Sequence, residues 1–189
     1  MNSMIDWPAR NSGMPFRLDQ AIEVLRRTPG VLNELLGNAL SEPWIMNNYG
    51  PETFAPFDVV GHLIHGERTD WTPRLRIILE FGPGVPFEKY DRYAQFEASR
   101  NKSIAHLLAE FAELREANLK ELAELNLTEK QLDLEGTHPE LGRVTMRNLL
   151  ATWVCHDLNH IHQIAKSMAF QYADQVGAWR EYITILPGR

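Results

Sequence analysis

The sequence predicts an all-α chain folded as a four-helix bundle, with a short accessory helix at the C-terminal end. Three observations lead there. Apolar residues recur at three- and four-residue spacings in four long stretches. Pro and Gly cluster between those stretches. No internal repeat or shift in composition divides the chain. The 189 residues, 44% hydrophobic and 23% charged, suit one domain over 1–189 with a sizeable core. Strand content should be near zero.

The first stretch runs from about Leu18 to Leu36, with Leu18, Ala21, Ile22, Leu25, Val31, Leu32, Leu35 and Leu36 on its apolar face. Pro29-Gly30 interrupts it and predicts a kink or two short helices. Glu42 to Pro56 reads as a loop. A second helix should run from about Pro56, suited to a first turn, to Leu79, with a bend at Pro73 and a stop at Gly82-Pro83-Gly84. The third is expected from about Glu97 to Leu125. Ser103 suits a cap, but the periodicity begins before it. Leu127 to Gly142 reads as a loop with room for a short extended pair around Leu132–Leu134 and Arg143–Val144. Thr145 then suits an N-cap for a fourth helix reaching about Tyr172, and a short final helix should cover Ala173 to Tyr182.

Charge and composition narrow the function classes. A formal net charge of −6 with no basic stripe argues against nucleic acid as a partner. No run of about 18 apolar residues exists, so no membrane span is expected, and Met1 to Pro15 lacks the apolar run of a signal peptide. The single cysteine, Cys155, permits no disulfide within the chain and suits a reducing compartment. A cytoplasmic location is the expectation that follows.

Histidines carry the chemistry. His156 and His160 stand four apart within Trp-Val-Cys-His-Asp-Leu-Asn-His. On a helix four residues advance the chain by about 400°, so both rings share a face and can converge on one ion. A metal needs a further ligand, and His62, set among apolar residues of the second helix, is the leading candidate. Three imidazoles leave positions open for water or substrate, as in catalytic rather than structural sites. His65, about 60° from His62, is the substitute third ligand. Gln163 shares the His156 face to within about 40°, with Leu149, Thr152 and Ser167; Asn159 lies about 60° away. Gln163 and Asn159 are therefore candidates to orient ligands from outside the metal's own shell.

Other readings compete. The histidines can be core residues bonded to neighbours, without metal. Trp71 and Trp153 read mainly as core, with lining a pocket by the metal as the alternative. Cys155 reads as a small buried residue rather than a catalytic thiol. Glu67 and Asp70 read as solvated or ion-paired, and Arg68, Arg74 and Arg76 as surface charges rather than receivers of an anionic substrate. His106 and His138 have no spaced partner and receive no role.

Three segments resemble the DinB-like (DinB/YfiT-like) superfamily: Ala21-Ile22-Glu23-Val24-Leu25-Arg26-Arg27-Thr28-Pro29, the stretch Phe57 to Trp71 around Gly61-His62-Leu63-Ile64-His65, and His156-Asp157-Leu158-Asn159-His160-Ile161-His162-Gln163-Ile164. Their order and spacing match over nearly the whole chain. The resemblance implies an up-down-down-up bundle with a metal ligated by His62, His156 and His160, nickel or zinc being the ion. It also implies a homodimer. Some relatives are transferases or isomerases using low-molecular-weight thiols such as mycothiol or bacillithiol. His162, directly before Gln163, departs from the residues common there and bears on the pocket rather than on the triad. Metal-dependent transfer or hydrolysis on a small molecule is the functional expectation, against a non-catalytic metal-binding bundle or a stress-associated interaction protein.

Overall fold

The computed structural model describes residues 13–186. Most of the segment read for a signal peptide lies outside the described residues. The first helical stretch is two helices, α1 Leu18–Leu25 and α2 Thr28–Leu36. Pro29 falls in the first turn of α2, where its missing N–H has no helical partner to lose.

The expected loop after α2 contains a short helix, α3 Glu42–Met46, with Pro43 again in a first turn. The second long helix divides into α4 Pro56–Thr69 and α5 Trp71–Phe81, broken at Asp70. Pro73 restarts the helix from its first turn instead of bending a continuous one. The third helix was expected to begin near Glu97. Instead α6 Ala94–Ser99 ends before Asn101, whose φ of 62° cannot continue a right-handed helix. α7 Ile104–Glu124 then opens on Ser103, whose hydroxyl accepts from the His106 N–H at 3.2 Å.

After the single turn α8 Glu129–Leu132, an antiparallel hairpin joins β1 Glu135–His138 to β2 Gly142–Thr145, with Glu135 opposite Thr145. β2 contains the expected Arg143–Val144, whereas β1 begins just after the expected Leu132–Leu134. α9 Met146–Phe170 is capped by Thr145, whose hydroxyl accepts from the Asn148 N–H at 3.1 Å. The final short helix is a 3-10 segment, Gly177–Tyr182. Among the described residues no helix is long and apolar enough to cross a membrane.

The core has two apolar halves. One gathers Leu25, Trp71, Leu75, Ile78, Leu119, Leu122, Leu150 and Trp153. The other gathers Leu32, Leu36, Val60, Leu63, Ile64, Leu107, Phe111 and Ile164. Each fully buried side chain of this size contributes about 1.5–3 kcal/mol. The order in which each helix visits the halves gives its direction. α1–α2 and α9 pass from the first half to the second; α4–α5 and α7 pass from the second to the first. The bundle is therefore up-down-down-up, and α5 and α7 run parallel. A parallel pair needs a connection that travels back along the bundle. Residues 82–103 make it, carrying α6 against α4. Gly61 permits the approach, since a Cβ there would meet Ser99 Oγ at 2.5 Å.

Between the apolar halves each long helical body contributes a buried polar residue: Thr28, Glu67, Arg115 and Asp157. Arg115 Nη1 donates to Asp157 Oδ2 at 2.6 Å and to the Leu25 carbonyl at 2.8 Å. Its Nη2 donates to Asp157 Oδ1 at 3.0 Å and to Glu67 Oε1 at 2.7 Å. Thr28 donates to Asp157 at 2.6 Å, and Asn118 and Trp153 both donate to the Glu67 carboxylate. Burial disfavours the guanidinium charge, but Asp157 and Glu67 outweigh it and hold the pKa above its usual value. Of the two readings of Glu67, solvated or ion-paired, the second holds: it pairs with Arg115 at 2% exposure.

Candidate metal centre

α4 and α9 cross beside this polar layer, and the histidines they carry meet there. His156 Nε2 lies 3.1 Å from His62 Nε2 and 3.1 Å from His160 Nε2. The three nitrogens converge because His156 and His160 are one helical turn apart and His62 faces them from α4. Burial, reinforced by the neighbouring rings, pushes His62 down to about 4 and His156 to about 2, and burial also lowers His160. All three rings are neutral at pH 7, the state in which imidazole binds a metal.

Hydrogen bonds alone do not satisfy this cluster. His160 Nδ1 donates to the Gln163 Oε1 acceptor at 2.8 Å, so its Nε2 presents a bare lone pair. If His156 Nε2 carries a proton, it donates to His160 and has no lone pair for His62. If it carries none, it faces His160 lone pair to lone pair. At most one of the two 3.1 Å contacts is a hydrogen bond, and His156 Nδ1 is buried without a partner. A cation satisfies all three inward lone pairs together. Nitrogens bound at about 2.1 Å to one ion stand roughly 3.0–3.4 Å apart for angles between octahedral and tetrahedral. The spacing present therefore suits a divalent ion, and the three ligand atoms lie within 4.8 Å of one another.

The surroundings sort the remaining candidates. Gln163 touches His160 from outside the three-nitrogen cluster. Asn159 is exposed on α9, away from the triad. His65 stands outside the three-nitrogen cluster, its ring 4.8 Å from that of Tyr90. Trp71 and Trp153 stack with ring centroids 5.5 Å apart, and Trp71 and His156 meet edge to face with centroids 5.1 Å apart. Both are buried and back the triad as core. Cys155, read as buried, is exposed: it lies about 200° around α9 from the buried Trp153, on the outward side.

The triad opens on a cavity of about 520 Å3. His62, His156, His160 and Gln163 form one wall; Tyr90 and the Asp70–Arg74 pair form another, with His138 at the edge. Arg74 Nη2 lies 2.6 Å from Asp70 Oδ1, and both side chains are largely buried. Arg74, read as a surface charge, therefore belongs to the cavity, whereas Arg68 and Arg76 pair with Glu110 and Glu121 on the surface. Tyr90 and His138 were missed in the sequence. Neither has a spaced partner, and the crossover and hairpin bring them in from distant positions. A second cavity of about 510 Å3, between α3 and α6, has no imidazole on its wall.

Fold and site define a helical bundle with three imidazoles converging beneath an open cavity. The chain belongs to the DinB superfamily, whose model matches residues 25–164. Among solved structures it is similar to YfiT from Bacillus subtilis, described as a probable metal-dependent hydrolase with an unusual four-helix bundle topology. The two are 22% identical, with a TM-score of 0.69 over 92% of this chain and 95% of that chain. At that identity the likeness speaks for the fold alone. No curated protein gives a match.

Proposed function

We propose that this protein is a metal-dependent hydrolase of a small molecule, in which His62, His156 and His160 hold one divalent ion, zinc or nickel. The observation that carries the reading is the pair of 3.1 Å contacts among three neutral Nε2 atoms that hydrogen bonding cannot satisfy. The cavity beside them gives a substrate access, and the description of YfiT is consistent with this chemistry. An ion held there supplies Lewis acidity to a substrate oxygen and brings the ionisation of water toward neutral pH.

The chain's own residues supply the rest. Gln163 and Tyr90 fix two of the rings, and Trp71 keeps bulk water from behind His156. Of the two carboxylates on the cavity wall, Asp70 and Glu140, Asp70 is the largely buried one. Burial pushes it up to about 6 against the opposing pull of Arg74. A base poised there accepts a proton from water near neutral pH. Replacing Asp70 with Asn should lower kcat about 100-fold while leaving the bound ion in place. The wild-type rate should rise with pH through about 6, as Asp70 loses its proton, and Asp70→Asn should lose that rise.

The test is a panel of small esters and amides, assayed before and after chelation and again after zinc or nickel is restored. Turnover that vanishes with the ion and returns with it supports the reading. Equal turnover throughout overturns it. Adding bacillithiol or mycothiol as co-substrate separates hydrolysis from thiol transfer.

A further inference from the structure

The up-down-down-up order forces residues 82–103 along the bundle and over the triad, and Tyr90 rides on that crossover. The segment is anchored on both sides of it. Phe87 is buried and donates its N–H to the Thr137 carbonyl at 2.9 Å, tying the segment to the hairpin. Asp91 Oδ1 accepts from the Tyr93 and Ala94 N–H groups at 2.9 and 3.2 Å, fixing the start of α6. Between these anchors the Tyr90 ring packs on His65, and its hydroxyl lies 2.8 Å from His62 Nδ1.

We propose that Tyr90 positions His62 for the ion and turns its own hydroxyl proton toward an oxygen of the substrate. The proposal rests on the metal reading above. A ring that offers Nε2 to an ion carries its proton on Nδ1, and outer acceptors of that N–H orient the ligand. Here the acceptor is the Tyr90 oxygen. A phenol oxygen that accepts from His62 still has its O–H to give. Among the described residues no acceptor takes it, and Tyr90 lines the cavity that opens on the triad. The ligand class that fits carries an oxygen acceptor within reach of both the triad and Tyr90: an ester or amide carbonyl, a carboxylate or a hydroxamate. Gln163 anchors His160 in the same manner, so two of the three rings are held from outside.

The test compares wild type with Tyr90→Phe, which removes the hydroxyl and keeps the ring on His65. Each is titrated with zinc against a competing chelator, loaded with cobalt(II) and titrated with acetohydroxamate while the visible bands are followed. Tyr90→Phe should bind the ion about tenfold more weakly. Its cobalt bands should shift, and its acetohydroxamate affinity should fall about tenfold. Unchanged ion affinity and bands overturn the positioning role, and unchanged acetohydroxamate affinity overturns the donor role. If the variant does not fold, proton NMR of the wild-type zinc protein decides. An exchange-protected His62 Nδ1–H close to the Tyr90 ring supports the proposal, and its absence overturns it. A wild type that takes up no ion overturns both this inference and the proposed function, whereas an ion-binding wild type matched by Tyr90→Phe overturns this inference alone.

Discussion

Replacing His156 with Ala should abolish stoichiometric metal. His156 Nε2 is the atom that touches both other nitrogens, and its loss leaves two imidazoles on opposite helices. Removing one of three ligands should weaken zinc binding by roughly two to three orders of magnitude. Dialysis against a mild chelator, followed by elemental analysis, should then find one ion per chain in wild type and none in the variant. The fold should survive, because the removed ring takes with it a buried Nδ1 that has no partner. His162→Ala is the matching control. That residue is exposed, six positions after His156 on the same helix, and its loss should leave the ion bound. Equal metal content in wild type and His156→Ala would refute the assignment of the ligands.

The second large effect concerns stability. Arg115 is 1% exposed and lies between Glu67 and Asp157, each also buried. Arg115→Met would leave both carboxylates buried without their cation, which costs about 3–5 kcal/mol. Urea denaturation should show this as a lowered midpoint. Adding Glu67→Gln and Asp157→Asn should recover much of the loss, because a neutral polar layer carries no unpaired charge. Arg76→Ala gives the scale of an ordinary ion pair. Its contact with Glu121 is on the surface, and its loss should change stability by less than about 1 kcal/mol. An Arg115→Met variant as stable as Arg76→Ala would show that the layer is not a structural clasp.

Much of this site was legible in the sequence. The four-residue spacing of His156 and His160 fixes a shared face in any helix, and an inward His62 requires a partner. The helices were legible through their apolar periodicity, with the restart at Pro29 anticipated. Other features depend on tertiary position. Glu67, Arg115 and Asp157 sit singly in otherwise ordinary helical patterns, and only the meeting of four helices turns separate charges into one buried network. Tyr90 was invisible for a related reason. Its contact with His62 follows from the path of the crossover, which no local spacing encodes. The α6–α7 break escaped because residues 97–125 keep a helical pattern through it, and the interruption comes from Asn101 in a left-handed conformation.

The direct test of the centre is the metal content of wild-type protein purified without a metal-affinity tag, then dialysed and reloaded with zinc or nickel. One tightly held ion per chain, with histidine nitrogens alone as the protein ligands in its X-ray absorption spectrum, is the result the three converging imidazoles require. A protein that takes up no ion at micromolar concentrations, or binds one through other residues while His62, His156 and His160 stay free, would contradict it.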